Sequence, residues 1–436
     1  MKRHTVLLVL VISLFSVGRA LAYDGSDKND KNKVEWLKKH TVAVRSIDAA
    51  DADLSDLMPL RKAIGEARIV LLGEQSHGDG ATFYAKRRLI RFLHEKMGFD
   101  VLAWESGLYD CQKVEEALHS DLSLTDATAK GIFGTWAWSN EVFPLFDYVR
   151  STYSTEHPLI TAGFDDQFTS RRTVDTYGQD IQSFIDRVQP DALPPEDRKI
   201  IDDLVVALLQ KYEPTPQQRE ASRAAVQKAL SVLAAAPIPQ SMLREADFYQ
   251  RTLENFLVLE AQSVEQNHNS STRDIRMGEN LLWLLEKRYP GKKIIVWAAS
   301  LHIMRNAPMM DDAHKWGYES MKNMGDVAYQ KLGAKMYSIA FVAYQGKAGR
   351  VNQPEPKDIG IAEPGSLEAL WHETGRAYGF LDLRTIPDGN WLRKPLSARP
   401  LGHAAMTSTW ANNFDAFFFT DIMVPATSNR PIKPPS

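Results

Sequence analysis

Cysteine is almost absent from this sequence, because Cys111 is the only one among 436 residues. A single cysteine excludes an intrachain disulfide and any zinc site built from several thiolates. Its neighbours Asp110 and Glu115 are acidic and would not stabilise a thiolate, so we interpret Cys111 as a buried structural residue. Any chemistry is therefore expected from other side chains.

The sequence also lacks an excess of positive charge. It contains 52 lysine and arginine residues against 55 aspartate and glutamate residues, so its formal net charge is −3. Proteins that bind nucleic acid carry basic patches that contact the phosphates. A mildly acidic chain lacks this electrostatic signature, and we expect no nucleic-acid partner.

Long hydrophobic runs are missing as well. The apolar run VLLVLVISLFSV (6–17) is too short for a typical transmembrane helix. It follows a short basic start and precedes Ala20-Leu21-Ala22, which is the pattern of a secretory signal peptide cleaved after Ala22. An uncleaved membrane anchor is the alternative. Cleavage would remove Lys2, Arg3 and Arg19, take the net charge from −3 to −6, and leave an exported protein, periplasmic or secreted, without membrane contact.

Several signatures of well-known enzyme classes are absent. Ser76 follows Glu74 and Gln75, so the segment is not a G-x-S-x-G nucleophile elbow. The sequence contains no H-E-x-x-H zinc helix, no phosphate loop ending in GK[ST], and no G-x-G-x-x-G after a strand. These absences argue against four common kinds of site.

The sequence does contain a regular alternation of apolar strands and amphipathic helices. Residues 82–96, 111–119 and 141–151 have helical periodicity. Short strands that alternate with such helices predict an α/β fold with a mostly parallel central sheet flanked by helices. The predicted strands are RIVLL (68–72), FDVLAWE (99–105), PLITAGF (158–164), KKIIVWAA (292–299), KMYSIAFVAY (335–344) and DAFFFTDI (415–422).

The spacing between the third and fourth strands indicates a large helical insertion. About 125 residues there have helical periodicity and no strand-like run, with prolines at the boundaries. The chain is therefore divided into consecutive parts. They are a signal peptide (1–22), a flexible lead-in (23–44), a first α/β core part (45–170), a helical insertion or lid (171–290), a second core part (291–425) and a loose tail (426–436).

Acids, imidazoles and a guanidinium follow four of the predicted strands. In an open parallel sheet, ligands bind in the crevice beyond the carboxyl ends of the strands. One charged residue after a strand means little, but four such segments indicate a shared site, in which we expect Asp165 and Arg305 to bind substrate. The residues are Glu74 and His77 after the first strand, Glu105 at the end of the second, Asp165 and Asp166 after the third, and His302 and Arg305 after the fourth.

His77 has the clearest catalytic potential of these residues. It lies at a predicted strand-to-helix turn, and a helix N-terminus disfavours imidazolium, which would keep the ring neutral. A neutral imidazole with a carboxylate in reach is a competent general base. Glu74, three residues earlier, could orient the ring, and Glu105 could share that task. The alternative is a structural histidine in a turn.

The other candidates have weaker local signals. His302 could protonate a leaving group or bind a developing oxyanion, or it could cap its strand. Asp165 could hold substrate or a ring nitrogen, or cap the next helix. Trp138 and Trp136 could line a substrate pocket, although core packing explains them equally well. Lys86 belongs to a basic run that is typical of a solvated helix face, but it could turn inward to the rim.

The same residues resemble the motifs of the erythromycin esterase family. LLGEQSHGDGATFYAKRRLIRFL (71–93) is similar to the family's glycine-Glu-x-x-His-glycine motif with a basic residue nine positions later. FDVLAWESG, GFDDQF and KKIIVWAASLH are similar to its second, third and fourth motifs, and the match spans residues 45–425. The resemblance implies an α/β core, a large helical part with a cleft between them, and metal-independent ester hydrolysis by water. It further implies His77 as the base, Glu74 as its partner, and Glu105 and Lys86 as further active-site residues.

Two positions depart from the family pattern. The family commonly has arginine where Lys86 stands, and lysine lacks the planar fork that makes bidentate contacts. Many members carry H-x-x-H after the fourth strand, whereas this chain has Ala299 at the first position and only His302 remains. A mechanism that needs both imidazoles would fail here. Members without macrolide activity also occur, so the family name does not give the substrate.

The sequence leaves three functions open, and it gives neither the substrate nor the oligomeric state. The first is an exported hydrolase of a small-molecule ester, a lactone or an acyl ester, with no cofactor and no metal. In it His77 deprotonates water, and Lys86 or His302 stabilises the oxyanion. The second is a metal-dependent hydrolase in which Glu74, His77, Glu105 and His302 bind a divalent ion. The third is a non-catalytic binding protein with a decayed site.

Overall fold

The structure is a computed structural model that describes residues 28–209, 215–262, 271–353 and 355–430. The described residues form eleven strands and, apart from short 3-10 and π turns, sixteen helices. The strands are β1 Val42–Ala43, β2 Ile69–Glu74, β3 Val101–Gly107, β4 Ile160–Asp165, β5 Ile294–Ala299, β6 Met336–Ala348, β7 Lys357–Asp358, β8 Tyr378–Asp382, β9 Leu396–Ala398, β10 Met406–Ser408 and β11 Ala416–Met423. The helices are α1 Lys28–His40, α2 Leu60–Ile64, α3 Gly80–Met97, α4 Leu108–Leu118, α5 Leu124–Thr128, α6 Gly134–Ala137, α7 Pro144–Thr152, α8 Arg171–Val188, α9 Pro195–Leu209, α10 Pro216–Ala235, α11 Leu243–Gln262, α12 Ser271–Trp283, α13 Ser300–Ile303, α14 Ala313–Trp316, α15 Met324–Leu332 and α16 Leu367–His372.

Nine strands form one sheet in the order β1-β8-β11-β6-β2-β5-β3-β4, with β7 paired to β6, while β9 and β10 form a separate hairpin. The six neighbours from β11 to β4 run parallel, and β8 and β1 close one edge in antiparallel orientation. These six parallel strands are the six that the sequence predicted. The predicted α/β fold with a mostly parallel central sheet is therefore confirmed.

Both faces of the sheet are covered, which explains why its strands are almost continuously apolar. Along β2, Ile69 and Leu71 pack into one core cluster, while Val70 and Leu72 pack into the other. Alternate side chains point to opposite faces of a strand, so a strand buried on both faces needs apolar residues at every position. Strands of this kind give the strongest sequence signal.

The helical insertion packs on one face of this sheet. Helices α8 to α12 contribute buried side chains to the same core cluster as Ile69 and Leu71, among them Ile181, Phe256 and Leu281. Helix α12 contacts both β4 and α15. The described parts of the segment between the third and fourth predicted strands are therefore helical, as expected, and they bring the start of α12 to the end of the sheet.

Two predicted boundaries differ from the structure. Residues 28–40 form α1 rather than part of a flexible lead-in, because Val34 and Leu37 are buried against the core. Residues 426–430 also make backbone contacts. The Ala426 amide donates to the Gly78 carbonyl oxygen at 3.0 Å, and the Asn429 amide donates to the Trp138 carbonyl oxygen at 2.8 Å. A polar composition at the start and prolines near the end concealed these contacts.

The N-terminal segment predicted as a signal peptide (1–22) lies outside the described residues. Within the described ranges, no helix combines the length and the apolar character needed to cross a bilayer.

Candidate active site

His77 lies in the turn between β2 and α3, where a carboxylate holds its ring. Its Nδ1 lies 3.1 Å from Oε1 of Glu74, the last residue of β2. A carboxylate can only accept, so Nδ1 carries the proton and Nε2 keeps its lone pair. The ring also packs edge-on against Trp136, with the ring centroids 5.3 Å apart, and the Thr135 hydroxyl donates to the His77 carbonyl oxygen at 2.8 Å.

Glu74 is fully buried, and every neighbour it contacts through its side chain is a donor. Trp136 Nε1 donates to Oε1 at 3.2 Å, and the Lys86 ammonium contacts Oε2. Lys86, itself fully buried, also donates to the Ala298 carbonyl oxygen at 3.0 Å and lies 4.5 Å from the centroid of the Trp297 ring. The carboxylate is thus fixed from three sides, which fixes His77 in turn.

Lys86 therefore turns inward, as the sequence left open, but it does not reach the cleft. It lies behind Glu74, and complete burial lowers its pKa well below the ordinary value. The prediction that Lys86 stabilises an oxyanion does not fit this placement. Lys86 reaches Glu74 because α3 packs directly on the sheet. Its contact with Glu74 gives Lys86 the role of positioning that side chain.

His77 is held in the neutral form. Burial lowers its pKa, and the positive charges of Arg350, His302 and Arg273 act in the same direction, while Glu105 opposes them. The sequence predicts a neutral ring because of the N-terminus of the following helix, whereas burial is the largest cause in the structure. The expected protonation state of a general base is the same in both accounts.

Glu105 occupies a local irregularity at the end of β3, where the register with β4 shifts between Trp104 and Gly107. Its Oε2 accepts the Ala299 amide at 2.9 Å, and its Oε1 lies 3.1 Å from His302 Nε2 and 3.2 Å from Arg273 Nη2. Burial favours the neutral acid, but His302 and Arg273 outweigh burial and hold the pKa of Glu105 well below its usual range. Glu105 is therefore ionised.

His302 lies between two carboxylates. Its Nδ1 donates to Asp274 Oδ1 at 2.9 Å, and its Nε2 faces Glu105. Burial acts to lower its pKa, but the charges of Asp274 and Glu105 outweigh burial and raise it to about 10. His302 is thus an imidazolium at neutral pH, the opposite state to that of His77.

Arg273, at the start of α12, completes the charged cluster. Its guanidinium contacts Asp165 at 2.6 and 3.1 Å in a bidentate ion pair and reaches Glu105 with the same Nη2. Asp165 therefore holds Arg273 in the cluster, which was not among the roles the sequence suggested. Its neighbour Asp166 accepts from Gln262 at 2.7 Å. Burial and the adjacent carboxylate raise the pKa of Asp166 well above its ordinary value.

Two cavities flank His77. The larger, of about 490 Å³, has His77, Ala299 and His302 in its wall together with the apolar side chains of Leu301, Trp316, Tyr318, Leu401 and Met406. The smaller, of about 300 Å³, is lined by His77, Glu105, Trp136, Arg273 and His302 among others. Because His77, His302 and Arg350 belong to both walls, the two cavities form one cleft along the carboxyl edge of the sheet.

Two predicted substrate-binding residues are not brought to this cleft. Arg305 is buried and pairs with Asp415 at 3.0 Å, and its guanidinium lies over the ring of Tyr329. Trp138 packs under the guanidinium of Arg430, 4.8 Å from the ring centroid. Neither is among the described residues that line the two cavities. Arg305 follows α13 rather than β5 directly, and that extra turn carries it away from the edge.

The His77 turn is clamped by segments that the sequence did not single out. The Ser76 amide donates to Asp79 Oδ2 at 2.8 Å, and Asp79 Oδ1 lies 2.9 Å from His403 Nε2. The Gly402 amide donates to the Gln75 carbonyl oxygen at 2.9 Å. His403 has a φ of 60°, which is uncommon for a residue other than glycine. The loop after β9 therefore fixes the backbone beside His77.

The described residues contain no group of three or more histidine, cysteine, aspartate or glutamate side chains arranged to hold a metal ion. The proposed four-residue ligand set is separated into two clusters. Glu74 faces Lys86 and Trp136, whereas Glu105 and His302 face each other and Arg273. The donor atoms of these side chains are thus directed at protein partners.

Comparison with known proteins identifies the family of this chain. The sequence profile described as erythromycin esterase matches residues 94–423, about three quarters of the chain. This chain belongs to the erythromycin esterase family. The erythromycin esterase resemblance drawn from the motifs is therefore confirmed, although the matched range begins after the Glu74–His77 turn.

Two relatives of this family member align over most of its length. A putative hydrolase of Bacillus subtilis, YbfO, is 26% identical over 97% of this chain and 98% of that protein. The erythromycin esterase type II of Escherichia coli is 23% identical over 81% of this chain and 89% of that protein. Family and relatives together identify the chain as a hydrolase of the erythromycin esterase type.

Solved structures share the fold of this erythromycin esterase family member. A Bacillus cereus protein superposes with a TM-score of 0.75 and 18% identity over 92% of this chain and all of that chain. A mutant erythromycin esterase in its open conformation gives a TM-score of 0.65 and 16% identity over 90% of this chain and 99% of that chain. At these identities the likeness extends to the architecture alone.

Proposed function

We propose that this erythromycin esterase family member hydrolyses an ester of a small molecule by activating water with His77. The observation that carries the proposal is the His77–Glu74 pair at the cleft wall. Buried Glu74 holds the proton on Nδ1, burial keeps the ring uncharged, and Nε2 is left with a free lone pair.

The chemical step follows from that arrangement. Nε2 of His77 takes a proton from water while the water oxygen forms a bond to the ester carbonyl carbon, and the carbonyl oxygen becomes an oxyanion. The tetrahedral intermediate then expels the alcohol oxygen, which receives the proton from His77. Glu74 stabilises the imidazolium during these steps, and contacts from Lys86 and Trp136 hold the Glu74 side chain in place.

The positive groups of the cleft are suited to stabilising the oxyanion. His302 and Arg273 line the smaller cavity together with His77, and both are cations fixed by carboxylates before substrate enters. Charges that are already oriented cost no reorganisation when negative charge develops. This division of roles, a neutral base and a permanent cation, does not need a second histidine at position 299.

The proposal is tested by measuring kcat/KM over a panel of lactones and acyl esters with the wild type, His77→Gln and His119→Gln. His119 is an exposed histidine directly after α4 and outside the cleft, so its variant controls for the substitution itself. We expect His77→Gln to lose at least about 10³-fold on every ester that the wild type cleaves, since it removes the base. Equal rates for the wild type and His77→Gln would refute the proposal.

Metal analysis and chelator assays distinguish the metal-dependent alternative from direct activation of water by His77. Elemental analysis of the purified protein and assays with and without a chelator are sufficient. Stoichiometric metal that is lost together with activity would favour that alternative, whereas unchanged activity in chelator supports direct activation of water by His77. A panel without turnover, combined with a small molecule retained through purification, would favour the non-catalytic binding protein.

We also propose that the protein is exported, on the basis of the basic, apolar and small-residue pattern of residues 1–22. N-terminal sequencing of the mature protein tests this directly. A first residue of Tyr23 supports cleavage after Ala22, and an intact Met1 on a membrane-bound product would contradict it.

A further inference from the structure

Arg350 differs from the other cations of the cleft in having no ionic partner among the described residues. Arg273 is paired with Asp165 at 2.6 Å, and His302 is paired with Asp274 at 2.9 Å. Arg350 is exposed, and its guanidinium makes no hydrogen bond or ion pair with any residue that the structure describes. Its five N–H donors are therefore available to a ligand.

Arg350 is nevertheless placed in the cleft rather than at random on the surface. It contributes to the wall of both cavities beside His77, and its charge acts on the His77 ring. An arginine on an open surface usually projects into solvent, where the absence of a protein partner costs little free energy. One that lines two cavities at a proposed catalytic base is positioned to touch whatever fills them.

The backbone that carries Arg350 is anchored to the His77 turn. The Gly349 amide donates to the Gly78 carbonyl oxygen at 3.1 Å. A Cβ atom on Gly78 would lie 2.6 Å from the Gly349 carbonyl carbon and 2.8 Å from the Arg350 amide nitrogen, so only glycine permits this approach. The backbone position of Arg350 is thus fixed relative to His77.

We propose that Arg350 is a specificity residue that binds an anionic group on the substrate, a carboxylate or a phosphate, beside the ester bond. This inference rests on the proposed ester hydrolysis and names the class of ester. The guanidinium makes charge-assisted, bidentate contacts with such groups. The apolar wall of the larger cavity, with Trp316, Tyr318 and Met406, takes the uncharged part of the same molecule.

The test compares paired esters that differ only in charge. The p-nitrophenyl monoester of suberic acid carries a terminal carboxylate, and its terminal amide is a neutral isostere with the same leaving group. A third ester of equal length ending in a phosphate shows which anion the site prefers. The enzymes are the full-length wild type, Arg350→Gln and Lys347→Gln, the last removing an exposed positive charge near the end of β6, three residues before Arg350 and outside the cleft.

The measured quantity is the ratio of kcat/KM for each anionic ester to that for the neutral ester. We expect the wild type to favour at least one anion, and Arg350→Gln to reduce that ratio about 10- to 100-fold, the range for a hydrogen-bonded charge pair. Lys347→Gln is expected to keep the wild-type ratio. A wild-type ratio near one, or an equal loss in both variants, would overturn the inference.

A binding measurement separates this inference from the proposed reaction. Suberanilic acid and its terminal amide resist ester hydrolysis, and their affinities for the wild type and Arg350→Gln can be measured by calorimetry. Tighter binding of the acid that depends on Arg350 would support the inference even if no ester is cleaved, in which case the proposed function alone would fail. Equal affinities for the acid and the amide would overturn the inference while leaving ester hydrolysis intact.

Discussion

The buried pair of Glu74 and Lys86 gives the most informative perturbation of this site. Both side chains are fully buried and in direct contact, and Glu74 also holds His77. We consider Glu74→Gln, Lys86→Met and the double variant, all of which keep the side-chain volumes nearly unchanged. Either single change leaves one buried ionisable group without its partner, whereas the double change removes both charges.

The magnitudes follow from burial. Removing one member of a buried ion pair costs roughly 3–5 kcal/mol, while replacing both by residues of similar volume is often close to neutral. In Glu74→Gln the loss should be near the lower value, because burial already lowers the pKa of Lys86 and the orphaned amine can lose its proton. We therefore expect each single variant to lose about 3 kcal/mol and the double variant to recover at least about 2 kcal/mol of the summed loss.

Urea denaturation of the four proteins measures the stability, and kcat/KM on a cleaved ester measures the activity. We expect the double variant to regain stability but not activity, because an amide at position 74 no longer stabilises the His77 imidazolium; the loss should be about 10²- to 10⁴-fold. Strictly additive stability losses would refute the ion pair. Wild-type activity in the double variant would refute the role of Glu74 as the partner of His77.

Three further changes test individual contacts. Trp136→Phe keeps the ring against His77 but removes the indole donor to Glu74, so kcat/KM should fall about 5-fold, the equivalent of one hydrogen bond of roughly 1 kcal/mol; an unchanged rate would contradict this. Gly78→Ala should lower the free energy of unfolding by about 1–3 kcal/mol, because its Cβ would press on the Gly349 backbone, and urea denaturation detects this. Trp138→Phe should leave KM within about 2-fold of the wild type, because Trp138 packs against Arg430 outside the cleft; a large rise in KM would restore its predicted role in binding substrate.

The fold was predictable where burial dictates a continuous apolar run. The segments around Val70, Leu102, Ile295 and Phe418 lie in strands buried on both faces, and each is recognisable alone. Strand β8 was missed because it is short, with the sequence YGFLD, and its two end residues, Tyr378 and Asp382, are polar. It also pairs in antiparallel orientation near the sheet edge. Edge strands carry less apolar sequence and so give a weaker signal.

The site was predictable where its geometry is local. Glu74 and His77 are three residues apart across one turn, so their contact follows from the strand end itself. Arg273 and Asp274 come from a helix more than a hundred residues after β4 and have no neighbouring motif that marks them. Only the packing of the insertion against the sheet brings them to Glu105 and His302, and a single sequence does not encode that packing in any short pattern.

The central claim is that a neutral His77, oriented by Glu74, is the base, and the pH dependence of kcat/KM tests it most directly. A base with a lowered pKa must be unprotonated to act, so the rate should rise with pH through an apparent pKa below 6.5 and then stay level until His302 loses its proton near pH 10. The residual rate of His77→Gln should lack the acidic limb. An acidic limb of the same midpoint in His77→Gln, or a wild-type rate independent of pH between about 4 and 7, would contradict the account.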